Sequence, residues 1–433
     1  MSNERSGFSS RLGFVLATAG SAVGLGNIWR FPYLAAKYGG GTFLLTYLIL
    51  TLTFGFSLMI TEVALGRKAG TSAIRAFGHF SKKHTFIGYL TTIIPFIIFP
   101  YYCVIGGWVT KYALVSLQGG IHNAASDTFF TGFISKSAEP MICVLVFLIA
   151  TTVVVAGGVK GGVERVSTIM MPVLIVLLIG VSLFCITRPG AMAGVAYYLK
   201  PSLKGFGPTT ILAALGQLFY SMSLAMGIMI TFGSYMPKKA DLEKSVTQVE
   251  LFDTGVAFLA GLMIVPAVFV FSNGDSSMLA KGPSLMFVML PKVFNSMAFS
   301  SVIAAVFFIL VLLAALTSSI SLLETLVAVL MDKFHMKRGT ACITMFIIAL
   351  LLAVPSSLGF GAWSNITILG FDFLDFFDFI SNSVLMPIAA FLTCLFVGYI
   401  IKPKVIVDEV ESSGEFKRKS LFLIKIGRAS CRE

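Results

Sequence analysis

Charge is scarce in this chain. Asp, Glu, Lys and Arg make up only 12% of its 433 residues, about half the share of a soluble globular domain. Histidine is scarcer: His79, His84, His122 and His335 all read as loop residues with no metal-ligand spacing among them. A membrane enzyme would need a nucleophile, a base or a metal cluster, so that class is set aside. Cys103, Cys143, Cys185, Cys342 and Cys394 are scattered through apolar runs and Cys431 lies in the tail, with no C-x-x-C and no disulfide framework. A net charge of +12 is present, but no basic stripe goes with it, so nucleic acid is not an implied partner. A cleavable leader is also missing: Met1 to Ser10 is polar, and the first apolar run lacks a small-residue cleavage context.

What the chain has in abundance is apolar length. Hydrophobic residues make up 57% and the mean hydropathy is +0.91, which reads as an all-α polytopic membrane protein of about ten spans. The first five fall near 11–36, 41–66, 86–117, 139–157 and 163–186, and the second five near 209–235, 245–271, 298–331, 340–356 and 376–401. Basic residues gather in alternate loops: Arg5 and Arg11, then Arg67 to Lys83, Lys160 and Arg165, Lys238 to Lys244, Lys333 to Arg338, and Lys402 with Lys404. That alternation places the N-terminus and the end of span 10 in the cytoplasm. Two outer segments look structured, the Gly- and Pro-rich 187–208 and a short helix over Lys281 to Pro291. After Ile401 the chain turns charged, and Leu421 to Ile426 is too short to cross a bilayer. The closing G-R-A-S-C-R-E resembles a frameshift or cloning scar, which leaves room for a lost eleventh span.

Residues 20 to 32, G-S-A-V-G-L-G-N-I-W-R-F-P, organise the rest. Gly20, Gly24 and Gly26 lie mid-span, and each weakens a helix by roughly 1 kcal/mol relative to alanine. Bare backbone at membrane depth is tolerated only inside protein or beside water. Two half-helices with an ion and zwitterion site in the gap are one reading; close packing by a neighbouring helix is the other. Asn27 and Arg30 favour the site. A second interruption, G-Q-L-F-Y-S-M-S-L-A-M-G at 216–227, falls in the first span of the second five. An odd number of spans per repeat inverts one half against the other, and matched breaks point to a transporter's binding site. The expected organisation is a first repeat over 1–186, a second over 187–401 and a cytoplasmic tail over 402–433.

The stretches A-V-G-L-G-N-I-W-R-F-P-Y-L, Y-G-G-G-T-F-L-L-T-Y, G-Q-L-F-Y-S-M-S-L and L-A-A-L-T-S-S-I-S resemble the neurotransmitter:sodium symporter family, above all its bacterial amino-acid transporters. The similarity runs from about residue 5 to 400. It implies a five-plus-five inverted-repeat fold, with spans 1 and 6 broken, in a bacterial inner membrane. It also implies two sodium sites: Ala22, Asn27, Ser221 and Asp253 with the substrate carboxylate for the first, and Gly20, Val23, Ala314, Thr317 and Ser318 for the second. Family members that carry amines have an aspartate where Gly24 stands, so the implied substrate is an amino acid. Its carboxylate would meet the N–H groups of Leu25 and Gly26 and the hydroxyl of Tyr102. The implied side-chain pocket is Ile98, Tyr102, Phe219, Tyr220, Ser223, Met226, Ser318 and Leu322, apolar with a few hydroxyls, which suits hydrophobic or aromatic side chains. Ala22, Gly24 and Ser221 complete the substrate contacts.

By the same resemblance, Arg30 with Asp378 gates the outer side, above a lid of Tyr102 and Phe219. Arg5 with Asp332, near Tyr235, gates the inner side. Glu62 reads as structural and Glu324 as lining an inner exit path. Gly162 and Pro172 bracket the stretch where relatives unwind span 5. Chloride-dependent relatives carry asparagine at the position of Asp253 and serine at that of Ala257, so no chloride requirement is expected here, although Tyr47, Gln217 and Ser221 survive from the anion site. Two alternatives stay open: a non-transporting amino-acid sensor on the same fold, and a symporter of another small zwitterion.

Overall fold

The computed structural model describes residues 7–202, 206–272 and 284–426, and every element named among them is a helix. Eight are long and apolar enough to cross a membrane: Gly41–Ala69, Lys82–Leu117, Ala138–Ala156, Val159–Ile186, Leu242–Phe271, Ser300–Phe334, Arg338–Leu358 and Phe373–Ile401. These are spans 2 to 5 and 7 to 10. Span 1 is the pair Arg11–Ala22 and Gly26–Lys37, bent by 51° at the break. Span 6 is split into Pro208–Ser221 and Ile228–Tyr235, each half too short to cross a bilayer by itself.

Burial is arranged as a bilayer requires. Residues 13–28 of span 1 and 221–233 of span 6 are buried throughout, so the two broken helices are enclosed by unbroken ones. Span 1 packs on spans 5, 7 and 8; span 8 lies along span 3, and the second half of span 6 along span 2. Spans 4, 5 and 9 turn apolar side chains outward: Val153 is 65% exposed, Val176 68% and Leu351 65%. Water would penalise that pattern, whereas lipid tails accept it.

Short elements close the ends. Ala191–Leu199 follows span 5, within the segment expected to be structured. The expected outer helix is Leu285–Asn295; Lys281 to Pro283 lie outside the described residues. It is pinned to span 3 where Tyr112 Oη donates to the Phe287 carbonyl at 2.6 Å, with the Trp108 ring 5.7 Å from that of Phe287. Span 5 is wound from Val159 onward, across the stretch between Gly162 and Pro172. Cys431 and the tail end after Ile426 fall outside the described residues.

The inner end of span 2 is tied to the segment after span 10. Arg67, only 1% exposed, places Nε 2.8 Å from Glu409 Oε1 on the helix Lys404–Glu411, and it also donates to the Glu409 carbonyl and to the Ala240 carbonyl at 2.9 Å. Removing one partner of a buried pair leaves the other charge uncompensated, a loss of about 3–5 kcal/mol. Arg67→Leu, which leaves Glu409 only Lys238 at 3.5 Å, should therefore lower the unfolding temperature in detergent markedly. Lys419→Ala, which breaks the pair with Glu411 between side chains each 43% exposed, should change stability by no more than about 1 kcal/mol. Equal losses would show that the Arg67 cluster is not a structural tie.

Candidate substrate and ion site

The two breaks face each other. In span 1 the helix stops at Ala22, Val23 is extended at φ −76° and ψ 98°, and winding resumes at Gly26 with a wider turn. In span 6 the chain passes through left-handed conformations at Ser223 (φ 52°), Ala225 (62°) and Gly227 (70°). Only glycine adopts these freely, so the first two need support. Ser223 Oγ lies 3.0 Å from the Ser21 carbonyl and 3.2 Å from Ser21 Oγ, a bridge from break to break. Glu62 of span 2 accepts the Ala225 N–H at 2.8 Å and satisfies one donor that the broken helix leaves bare. The structural reading of Glu62 thus has a specific bond behind it.

Between the breaks lies a cavity of about 30 Å³, lined by Ser21, Ala22, Gly24, Leu25, Gly26, Ile98, Tyr102, Tyr220, Ser223, Met226, Ile228, Ser318 and Leu322. Two residues expected on the substrate list are not among them. Phe219 turns toward span 2, where its ring meets Phe54 at 6.2 Å, and Ser221 faces Asp253. The reason is helical: adjacent side chains diverge by about 100°, so Tyr220 points into the cavity and its neighbours cannot. Conversely, Ser21 and Ile228 line the cavity without having been expected. Ser21 lies in the last turn of the first half-helix and Ile228 opens the second half of span 6, positions that no pattern in the chain marks.

Above this cavity is a larger one of about 300 Å³, lined by Leu25, Trp29, Arg30, Tyr33, Leu34, Ile105, Tyr220, Leu374, Asp375 and Asp378. Leu25 and Tyr220 line both and form the partition. Of the two residues expected in the lid, Tyr102 lines only the inner cavity and Phe219 neither; Tyr220 and Leu25 stand between the two. Arg30 and Asp378 share the vestibule without forming an ion pair among the described residues. Arg30 sits 5.0 Å over the Tyr220 ring, with Nη1 buried and unbonded. Asp378 accepts from Asn382 Nδ2 at 2.5 Å and Tyr101 Oη at 3.3 Å.

One expected ion group gathers on span 7. Asp253, fully buried, receives Asn27 Nδ2 at 2.7 Å, Ser221 Oγ at 2.8 Å and Tyr47 Oη at 2.9 Å. Asn27 Oδ1 in turn accepts the Gly24 N–H at 3.2 Å, and Gln217 Nε2 donates to the Gly26 carbonyl at 2.9 Å. Ala257, one turn further, is buried too. The other group gathers on span 8. Ser318 Oγ lies 3.4 Å from the Gly20 and Val23 carbonyls and 3.0 Å from that of Ser21. Thr317 Oγ1 lies 3.0 Å from the Ala314 carbonyl, and a Cβ at Gly20 would stand 3.2 Å from Thr317 Cβ. Hard, mostly uncharged oxygens converge here, the donor chemistry that a small alkali cation accepts.

Gly24 sits where these groups meet. A Cβ there would overlap Ser318 Oγ and stand 3.2 Å from Tyr102 Oη; that hydroxyl is buried, with Ser318 and the Leu25 backbone beside it. On the inner side, Arg5 lies outside the described residues. Asp332 accepts the Ser72 N–H at 2.7 Å, and Tyr235 Oη donates to Glu324 at 2.8 Å. Glu324 also pairs with Arg338, so its charge is compensated within the wall.

Known proteins are similar to this chain along most of its length. A family model described as the sodium:neurotransmitter symporter family matches residues 5–132 and 128–430. The sodium-dependent transporter YhdH of Bacillus subtilis is 36% identical over 410 residues, 94% of this chain and 90% of that protein. A sodium-dependent transporter of Haemophilus influenzae is 35% identical over 436 residues, 97% of this chain and 93% of its own. The human sodium- and chloride-dependent GABA transporter 2 is 27% identical over 380 residues, 76% of this chain and 62% of that protein. Among solved structures, MhsT in complex with L-phenylalanine superposes with a TM-score of 0.89 at 38% identity, covering 98% of this chain and 96% of that one. With broken spans 1 and 6 enclosed by the others and family-wide matches along nearly its whole length, this chain belongs to the sodium:neurotransmitter symporter family.

Proposed function

We propose that this protein imports hydrophobic or aromatic L-amino acids across a bacterial inner membrane, N-terminus in the cytoplasm, by alternating access coupled to two sodium ions and independent of chloride. The observation that carries the reading is the Gly24 cradle. A Cβ at that position would overlap Ser318 Oγ, so position 24 offers no acid of its own, and a second carboxylate beside Asp253 at the first cation would arrive with the substrate. The first-turn N–H groups of Leu25 and Gly26, left without intrahelical partners, and the Tyr102 hydroxyl beside them would be the donors for a carboxylate. Ile98, Met226, Ile228 and Leu322 supply the apolar walls. A relative of the same architecture, MhsT, has been solved with L-phenylalanine.

In this scheme sodium is cargo as well as coupling ion. The Asp253 group would hold one ion beside the substrate carboxylate, and the Ser318 group a second between spans 1 and 8. The outer cavity is the entry, and the Leu25–Tyr220 partition must swing aside to admit the substrate. Arg30 and Asp378, facing each other across that entry, would pair on closure, because an unpaired charge at that depth is expensive. What supports two sites is the convergence of oxygens at two separate places on span 1.

Binding of radiolabelled leucine by scintillation proximity should appear in sodium and vanish in potassium, and uptake into proteoliposomes should need an inward sodium gradient. Binding of equal strength in both salts would overturn the coupling.

Met226 tests the side-chain pocket. Met226→Phe stiffens and fills the far wall, where methionine can repack around ligands of different size. Tryptophan binding should fall relative to leucine by about ten- to two-hundred-fold, the range that a few methylene-sized clashes produce. An unchanged ratio places Met226 outside the pocket in the loaded state.

Chloride independence rests on Asp253, whose fixed carboxylate supplies negative charge to the cations among the residues that would otherwise surround an anion, with Ala257 offering no hydroxyl. The native protein should transport equally in chloride and gluconate. Asp253→Asn with Ala257→Ser should be impaired in gluconate and recover in chloride. A native requirement for chloride would remove this role from Asp253.

A further inference from the structure

On the face that carries the basic loops, a cavity of about 390 Å³ opens between the helix Ala73–Phe80, the start of span 3 and the end of span 8. Arg75 and His79 enter it from the short helix, Thr85 and Tyr89 from span 3, and Lys333 from span 8, with Thr71 at its edge. Among the described residues no acid lines it; Asp332, beside Lys333, accepts the Ser72 N–H at 2.7 Å. Lys333 is held in place: its Nζ meets Tyr89 Oη at 2.7 Å and stands 5.3 Å over that ring. Thr71 Oγ1 is buried and has no hydrogen-bond partner, an unused polar group at the rim of a cationic hollow.

The surroundings say where the ligand comes from. Phe86, Tyr89 and Ile93 follow one another at helical spacing and are 51%, 47% and 47% exposed, a continuous stripe on the outside of span 3. Phe334, next to Lys333, is 63% exposed. An apolar stripe of this kind faces acyl chains, and its tyrosine sits where such rings mark the headgroup level. A cationic hollow immediately above it matches a phosphodiester joined to two acyl chains. None of the substrate or ion groups takes part.

We propose that this cavity is a headgroup site for an anionic phospholipid, with Arg75 and Lys333 on the phosphate, the Thr71 hydroxyl as a further donor, and the acyl chains along Phe86, Tyr89 and Ile93. Basic pockets between spans at the cytoplasmic surface bind acidic headgroups through their charge and the adjoining apolar wall. The site would add to the Asp332–Ser72 bond in fastening the start of the helix Ala73–Phe80 to the end of span 8.

The test is native mass spectrometry of the detergent-solubilised full chain titrated with phosphatidylglycerol, and in parallel with phosphatidylcholine and with inorganic phosphate. Arg75 and Lys333 are exposed, so Arg75→Gln with Lys333→Gln should fold normally. The expected result is one tightly held phosphatidylglycerol on the native protein, weakened about fivefold for each charge removed and weakened less by Thr71→Val. Removing two charges from other basic loops, Lys160→Gln with Lys244→Gln, should leave it in place. Equal retention of phosphatidylcholine, or undiminished phosphatidylglycerol on the Arg75/Lys333 variant, would overturn the proposal. Inorganic phosphate bound at this site with no phosphatidylglycerol retained would assign a free anion and overturn it as well. Sodium-dependent substrate binding is measured separately, so failure here leaves the transport reading untouched.

Discussion

Two helices stop in the middle of an apolar bundle, and each stop strips backbone N–H and C=O groups that no water is there to satisfy. The architecture follows from that constraint. The carbonyls near Gly20, Ser21 and Val23 meet hydroxyls of Ser318 and Ser223; the Ala225 N–H meets Glu62; the Gly26 carbonyl meets Gln217. Each partner comes from another helix, so neither break can be built unless spans 1, 2, 6 and 8 are already side by side. A bundle organised in this way has little freedom where the breaks touch their partners. Its mobility is confined to rearrangements that exchange one set of partners for another. Under the proposed function a substrate carboxylate and two cations would be such partners, and that exchange would couple their binding to a change of shape.

Burial divides the helices by task. Spans 1 and 6 are hidden along their working stretches, while spans 4, 5 and 9 carry the lipid-facing surface. The acids follow the same division. Asp253 and Glu62 are buried among donors, and Glu324 is closed off by Arg338 and Tyr235. A span acid without such company would be costly. Asp253 differs from Glu62 in its company: three side-chain donors converge on it, whereas Glu62 serves one amide and leaves an oxygen unbonded. Under the proposed function the first arrangement would exchange a donor for a cation, while the second braces the break in span 6.

The length and alternation of apolar runs determined the number and order of the spans, because the thickness of a bilayer and the dispersal of lysine and arginine leave few other solutions. The glycines at 20, 24 and 26 and the polar cluster at 216–227 marked both interruptions, since a helix cannot carry such residues at membrane depth without a reason. Asn27, Asp253, Ser221 and Ser318 were named as oxygen donors through the family resemblance. Which of two adjacent aromatic residues closes the cavity was not legible, since that depends on the helical phase just before a break; only the packed structure decided for Tyr220 over Phe219. The gap between Arg30 and Asp378, the bridge from Ser223 to Ser21, and the hollow shared by Arg75 and Lys333 are likewise products of tertiary structure. They join residues far apart in the chain, and no local pattern encodes a distance between helices.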